Sequence, residues 1–333
     1  MLILKNPTYY SEKCVATIGF FDGVHAGHRF LLNELVKVSK NQGFTSVVIT
    51  FSEHPCKLFD RNFKPTYLTT LSEKLFLLEK IGIDACIVLD FNKELSELSA
   101  FDFMKTVLLE KFNVQTLLIG YDHRFGHNKS ESFDDYLKFG KNLGIEIKQA
   151  KQFAANNLHA VSSSEIRKLL LAGNVFEVNK LLSYPYSFYG QVVEGYRVGR
   201  KIGFPTANLL PQPEKLLPAA GVYAVQINYN SRFYNGMMNI GNRPTLQNGN
   251  NQSIEVHIFD FEEDIYKQEI EVLFIDKIRD EQKFDNLNAL IDRLKLDKME
   301  AKKILESDGY DFLFQTLGIS KILCNFARNL KPF

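Results

Sequence analysis

The sequence predicts two successive architectures: a doubly wound α/β sheet over its first half, then an antiparallel β-barrel with C-terminal helices. Three observations predict this. Short continuous apolar runs alternate with helical periodicity through the first half, the pattern of parallel strands covered on both faces. Around Ser183-Tyr184-Pro185-Tyr186 the period changes, and short strand-like runs follow at close spacing, as in a barrel. Helical spacing then returns at Leu287, Leu290, Ile291 and Leu294. A chain of 333 residues is long enough for two domains of roughly 100–200 residues each. We place them at 1–183 and 184–305, with a helical extension at 306–333.

Apolar residues make up 45% of the chain and charged residues 24%, an ordinary soluble balance. Lys+Arg 40 against Asp+Glu 39 leave a net charge of +1. No global basic field argues for nucleic acid, so anionic ligands must be held by local sites. No apolar run approaches the roughly 20 residues of a membrane helix. The apolar part of the N-terminal MLILKNP is too short for a signal peptide. Cys14, Cys56, Cys86 and Cys324 are scattered, without a CxxC pair or zinc spacing, and read as reduced thiols of a cytoplasmic protein. The expected partners are small molecules, with no nucleic acid and no membrane, in a monomer or homo-oligomer.

The first strand covers residues 15–20 and runs into the string GFFDGVHAGH at 19–28. Leu31, Leu32, Leu35, Val36 and Val38 then recur at helical spacing. The string is therefore a strand-to-helix turn, which in a parallel sheet lies at the strands' carboxyl ends, where ligands bind. Amides at the helix start favour an anion. Gly19, Gly23 and Gly27 let the backbone approach it, and His25 and His28, three apart, share one face. As a bare pattern it also reads as a glycine-rich connection with two surface histidines. Residues 46–51 form a second strand, followed by the polar turn Ser52-Glu53-His54-Pro55. Thr70 and Glu73 make a capping box for a helix through Leu75, Leu78 and Ile81 to Gly82. Residues 85–89 are a third strand. Ser99 with Asp102 opens a helix that ends near Phe112, and residues 116–119 and 145–147 are the fourth and fifth strands. After the fourth, Gly120-Tyr121-Asp122-His123-Arg124-Phe125-Gly126 is a polar turn at a strand end, either a ligand contact or an ordinary surface turn. Ser162 and Glu165 read as a capping box ahead of Leu169, Leu170 and Leu171. The hydroxyls of Ser162, Ser163 and Ser164, with Arg167 one turn in, also suit a triphosphate. Gly173-Asn174 ends that helix, and one more covers residues 175–182.

Strands of the second half are read at Val192-Val193 and over residues 223–229, 233–240, 254–259 and 270–275, with Asn230-Ser231 as a tight hairpin. Gly190, Gly195, Gly199 and Gly203 punctuate residues 190–203, so that the backbone there can wrap a nucleotide, a weak signal as a glycine pattern alone. Thr206 and Asn208 present a hydroxyl and an amide oxygen two residues apart, on one face if extended. Oxygen ligands suit magnesium, which binds through one or two protein groups plus phosphates; a polar turn after Pro205 is the plain alternative. Alternation sets Glu255 and His257 opposite Ile254, Val256 and Ile258, as on a charged outer strand face.

These strings resemble one family. The HxGH within GFFDGVHAGH resembles the nucleotidyltransferase superfamily signature, and the whole string is similar to that of the bacterial bifunctional riboflavin kinase/FMN adenylyltransferase (FAD synthetase) family. LSEKL at 71–75, FNKEL at 91–95, SSSEIR at 162–167, GRKIGFPTAN at 199–208 and the turn at 239–245 match that family in the same order, over about residues 1–305. The resemblance implies a Rossmann-like nucleotidyltransferase domain followed by a riboflavin kinase β-barrel. It implies two transfers from ATP with Mg2+: riboflavin to FMN in the barrel, then FMN to FAD plus pyrophosphate in the α/β half. In the barrel it assigns the catalytic carboxylate to Glu255, suited to accept the proton of a primary alcohol. It assigns magnesium and ATP phosphate to Thr206 and Asn208, further ATP contacts to Gly195, Gly199, Arg200 and Gly203, and flavin contacts to Arg279, with Phe284 in the same segment. In the α/β half it assigns ATP phosphates to Gly19, Phe20, Gly27, Ser162, Ser163 and Ser164. Charge stabilisation goes to His25, His28 and Arg167, and flavin contacts to Asp122 and Arg124.

The chain departs from the family pattern at four places. His123 stands where an aromatic is usual, Ser130 and Glu131 where glycines are, Ser164 where Thr is common, and Lys267 in place of the glycine of LYGK. Beyond residue 305 the pattern ends, and Phe312, Leu313, Leu317, Ile319, Ile322, Leu323 and Phe326 suggest a helical extension. Two readings from other classes stand beside this one. A single-activity adenylyltransferase with the barrel as an interaction module is opposed by GFPTAN. A non-catalytic flavin-binding protein needs decayed motifs, whereas HxGH, PTAN and Glu255 are all filled.

Overall fold

The computed structural model describes residues 1–59, 66–121, 123–127, 130–151, 161–195, 198–242 and 252–307. Packing divides the chain into two compact units, Met1–Ser162 and Ser163–Phe333.

The first unit is built on β1 (Leu2–Lys5), β2 (Cys14–Ile18), β3 (Thr45–Phe51), β4 (Ala85–Leu89), β5 (Val114–Ile119) and β6 (Glu146–Gln149). These form one parallel six-stranded sheet in the order β1-β4-β3-β2-β5-β6. Helix α1 (Ala26–Gln42) links β2 to β3; α2 (Cys56–Phe59) and α3 (Leu71–Ile81) link β3 to β4. Helices α4 (Lys93–Glu97) and α5 (Ala100–Asp102), the latter running on as π-helical turns over Phe103–Lys111, link β4 to β5; α6 (Phe133–Leu143) links β5 to β6. Every residue of β2 and β4 is buried, which is why both read as continuous apolar runs. The expected capping box of Thr70 and Glu73 is present at the start of α3, and Gly82 closes that helix at φ 91°. From β2 the chain first builds outward through β3 and β4, then crosses to β5 on the other side of β2. The order therefore reverses at β2, and the crevice at the carboxyl ends of β2 and β5 is the switch point where such sheets bind ligands.

The second unit opens with α7 (Ser163–Leu171) and α8 (Val175–Leu182). Then come β7 (Ser187–Val193), the short α9 (Val198–Lys201), β8 (Ala207–Pro211), β9 (Gly221–Tyr229), β10 (Arg232–Asn242), β11 (Gln252–Ile258), β12 (Glu269–Arg279) and α10 (Leu287–Glu306). The strands close an antiparallel barrel in the order β10-β11-β8-β7-β12-β9. The β9–β10 hairpin turns at Asn230 (φ 51°) and Ser231 (φ 61°), the paired positive angles of a tight two-residue loop. Helix α10 packs on β9, β10 and β12, burying Ala301 and Leu305 against Phe204, Ala224, Met237, Phe259 and Ile275. Fully buried Asn179 ties α8 to the barrel: its amide donates to the carbonyls of Phe274 (2.9 Å) and Ile275 (3.3 Å), and its oxygen accepts from the Tyr186 amide (2.7 Å). Helices α7 and α8 thus pack with the barrel, although the change of sequence period follows them. The expected extension lies outside the described residues from 308 onward, as does Asp122.

Candidate active sites

In the first unit the site begins where β2 ends. The Gly19 amide still donates to the Ile49 carbonyl (3.0 Å), after which the backbone turns sharply. Phe21 (φ 54°), Gly23 (φ 77°) and Val24 (φ 36°) are all left-handed, a strained conformation for Phe and more so for β-branched Val. Partners on both sides hold the strain. Buried Asp22 accepts from the amides of Leu68 (3.1 Å) and Thr69 (3.0 Å) and from Thr69 Oγ1 (3.3 Å), while the Gly23 amide donates to Thr69 Oγ1 (3.0 Å). The Phe20 carbonyl accepts from Lys74 Nζ (3.0 Å) and Thr50 Oγ1 (3.2 Å). Gly19 is required because a Cβ there would stand 2.9 Å from the Phe21 ring.

The turn delivers His25 to the N-cap of α1, where its Nδ1 accepts from the His28 amide (3.3 Å). Its ring lies nearly flat on that of His28, with centroids 3.6 Å apart and 16° between the planes. Burial pushes the His25 imidazole down to about 4. His28 falls well below the usual histidine value, through burial first and then through His25, His123 and Lys74. Both rings are therefore neutral at pH 7. Among the described residues His28 Nδ1 is buried with no hydrogen-bond partner, the kind of orphan polar atom that a ligand satisfies. Amides at the start of α1 together with neutral imidazole N–H groups make a donor set for phosphate oxygens. The turn after β5 comes to the same place: the His123 amide closes on the Gly120 carbonyl (3.2 Å), and its ring is near enough to act on His28. Arg124 is exposed. Ser162 ends the first unit, and Ser163, Ser164 and half-buried Arg167 lie on α7 in the second.

In the barrel, β8 and β11 pair only at Ala207↔Val256 and Asn208↔Glu255, while β10 sets Asn239 against Glu255 from the other side. Asn239, Glu255 and Asn208 thus form one cross-strand row. Thr206 Oγ1 donates to Glu255 Oε2 (3.2 Å). Thr206, Glu255, His257, Arg279 and Phe284 line a cavity of about 330 Å3 with Leu290 and Leu294 of α10. Thr206 also lines a second cavity, of about 420 Å3, with Arg200, Glu262 and Tyr266. The hydroxyl therefore stands between two cavities. A Cβ on Gly195 would lie 2.1 Å from Asn208 Nδ2, and one on Gly199 would lie 2.2 Å from the Phe204 carbonyl. Hydroxyl, amide and carboxylate give an all-oxygen donor set that fits Mg2+ shared with phosphates. Among the described residues no cluster of three or more His, Cys, Asp or Glu forms a dedicated metal cage.

His257 does not lie on an open strand face. It is buried, and its Nδ1 donates to the Pro205 carbonyl (2.7 Å), fixing the segment just before Thr206. Arg279 lines the cavity, but its guanidinium is committed to fully buried Asp297, with Nε 2.9 Å from Oδ1 and Nη2 2.8 Å from Oδ2. Arg293 joins the same carboxylate (2.8 Å). Asp22 and Lys74 escape sequence reasoning as site residues. The buried stripe of α3 is Lys74, Leu77 and Leu78, and a lysine three and four places before two leucines is the available signal.

The chain is similar to the FAD synthetase family over residues 8–165 and to the riboflavin kinase family over residues 182–305. A bifunctional riboflavin kinase/FMN adenylyltransferase from Escherichia coli (strain K12) is 36% identical over 88% of this chain and 93% of its own length. Relatives of the same name from Haemophilus influenzae and Listeria monocytogenes are 35% and 34% identical, over 91% and 86% of this chain and 98% and 91% of theirs. A crystal structure described as a macrolide-efflux protein from Streptococcus pneumoniae superposes with a TM-score of 0.84 at 29% identity, covering 91% of this chain and 99% of that one. In the present chain no described helix is long and apolar enough to cross a membrane. Both halves match in order, and named relatives span nearly the whole length: the chain belongs to the bifunctional riboflavin kinase/FMN adenylyltransferase family.

Proposed function

We propose that this chain makes FAD in two steps, phosphorylating riboflavin to FMN in its barrel and adenylylating FMN in its α/β unit, with ATP as donor both times. One observation carries the reading: a single chain holds both the stacked His25–His28 turn at a switch point and a Thr206–Glu255 row between two cavities.

In the barrel, Glu255 takes the proton of riboflavin's terminal hydroxyl as that oxygen attacks the γ-phosphorus, and ADP leaves. The apolar wall of Phe284, Leu290 and Leu294 suits the flavin ring, with Arg279 behind it. The cavity holding Arg200 suits the nucleotide, wrapped by the backbone at Gly195, Gly199 and Gly203. Thr206 and Asn208 would hold Mg2+, which when bound would supply positive charge to the phosphates.

In the first unit, the FMN phosphate attacks the α-phosphorus of a second ATP, and the bond to pyrophosphate breaks. No protein nucleophile is needed. His25 and His28 donate to oxygens on which charge builds. Gly19, Phe20 and Gly27 shape the backbone cradle. By motif, Ser162, Ser163, Ser164 and Arg167 are further phosphate ligands, and Asp122 and Arg124 face the flavin. We take 1–183 as the adenylyltransferase domain, 184–305 as the kinase domain and 306–333 as an extension; the family matches at 8–165 and 182–305 support two functional halves and leave most of α7 and α8, which pack with the barrel, between them. Small-molecule substrates, the absence of any basic field for nucleic acid and the unpaired thiols at Cys14, Cys56 and Cys86 favour a cytoplasmic enzyme, monomeric or homo-oligomeric. The test is chromatography of products from purified protein, riboflavin, ATP and Mg2+. FMN then FAD is the expected order, and unchanged riboflavin overturns the reading.

A further inference from the structure

Lys74 plays no part in the chemistry above, yet its ammonium lies directly beneath the phosphate-binding turn. The residue is 3% exposed. Its Nζ donates to the Phe20 carbonyl (3.0 Å), Thr50 Oγ1 (3.1 Å) and the Phe51 carbonyl (3.3 Å), and sits 4.3 Å from the centre of the Phe20 ring. All of these partners are neutral, and among the described residues Lys74 makes no ion pair. A buried ammonium without a carboxylate partner is costly. Three acceptors match the three N–H donors of an ammonium, whereas an amide side chain offers two N–H donors and brings a carbonyl of its own, so the hydrogen bonds account for part of the choice of lysine. The charge itself, costly to bury, is open to a further use. Its position indicates one: it stands where β2 and β3 end, at the base of the turn that leads to His25 and His28.

The titratable groups that face it are Asp22 from the turn, Cys86 from β4 and His28 from α1. Burial drives the Cys86 thiol up to about 12 and keeps it neutral. His28 is neutral too, and Asp22 already accepts from the Leu68 and Thr69 amides. Among the described residues around the turn, the Lys74 cation is thus one counter-charge that can meet an incoming anion, with the Asp22 carboxylate opposing part of its field.

Resting on the reading of this turn as the FMN adenylylation site, we propose that Lys74 is a positioning residue for that reaction. Its ammonium fixes the Phe20 end of the turn and supplies a standing positive charge to the triphosphate and the departing pyrophosphate. In the low-dielectric interior that charge acts more strongly than a surface lysine would.

Burial brings the Lys74 ammonium down to about 8, against the opposing pull of Asp22. Adenylylation by the free enzyme therefore falls as pH rises through that value and the proton is lost. Bound triphosphate favours the charged form, so the limb in kcat lies at higher pH than the limb in kcat/KM. The experiment measures FMN-to-FAD and riboflavin-to-FMN turnover separately on the full chain between pH 6.5 and 9.5. It uses wild type, Lys74→Met, and Lys74→Gln, which keeps a donor without a charge. Wild type should lose adenylylation kcat/KM above pH 8 by about tenfold per unit. Both variants should show adenylylation kcat lowered by about 10- to 100-fold at pH 7, short of the ~100- to 1000-fold loss for a direct donor. Both should lack the alkaline limb, with the kinase within twofold of wild type. A limb that persists in either variant, or Lys74→Gln with wild-type turnover, overturns the proposal. If both variants lose the kinase as well and so fail to fold, the wild-type profile decides: adenylylation kcat/KM flat from pH 7 to 9.5 overturns it. Wild type that makes no FAD at all overturns the parent reading instead.

Discussion

His25 and His28 meet ring to ring because the turn after β2 sets one at the N-cap of α1 and the other three residues on. Their spacing and flanking glycines are legible in the sequence, and the role proposed for them comes from the resemblance. Their charge state is not. It depends on burial and on Lys74 and His123, which come from distant stretches of chain. The consequence for stability has a definite sign. His25 titrates near 6.5 when unfolded and is depressed to about 4 when folded, so between these values the unfolded chain binds more protons. The stability contribution is present above about pH 6.5 and is lost as pH falls toward 4. His28 is shifted in the same direction. Calorimetric Tm should therefore drop between pH 6.5 and 4, and His25→Phe should flatten part of that drop. Bound ATP should also shrink it, since an anion beside the rings raises their pKa. A Tm insensitive to pH over this window would mean that the rings are hydrated in the folded protein.

Most elements announce themselves through their apolar period. The exceptions are informative. β1 is a largely exposed four-residue edge strand with too little apolar pattern to read. β8 (Ala207–Pro211) starts at the end of the GFPTAN string, where Thr206 and Asn208 also read as a polar turn, yet it pairs with β7 and β11. That short strand is what brings Asn208 beside Glu255, so the least legible element of the barrel is the one that assembles its site. Gly195 tests the arrangement. A Cβ there would fall 2.1 Å from Asn208 Nδ2, and the amide would have to swing away from the cross-strand row. A displacement of about 1 Å costs on the order of 100-fold when a positioned group is involved. Gly195→Ala should therefore lower riboflavin phosphorylation by about that factor while FMN adenylylation stays within twofold. Circular dichroism would verify that the barrel is intact. Equal loss of both activities would indicate a folding defect instead.

At the scale of the whole molecule, the two units each have their own core and their own donor set. The sequence reveals this division through a single change of period, though it places the change after α7 and α8, whereas those helices pack with the barrel. Separate sites joined by a freely soluble intermediate make a prediction about mixtures. His28→Ala removes a proposed donor to the phosphates and should lower adenylylation about 100- to 1000-fold, leaving the kinase intact. Glu255→Gln removes the proposed base and should do the reverse. Neither variant alone then converts riboflavin to FAD at an appreciable rate: the first accumulates FMN, and the second leaves riboflavin untouched. An equimolar mixture should restore FAD formation, because FMN released by one molecule is a substrate for the other. The restored rate should show a lag while FMN accumulates, and the lag should shorten as total protein rises. FAD that fails to form in the mixture, with each variant keeping its one activity on its own substrate, would show that FMN does not leave the molecule that makes it.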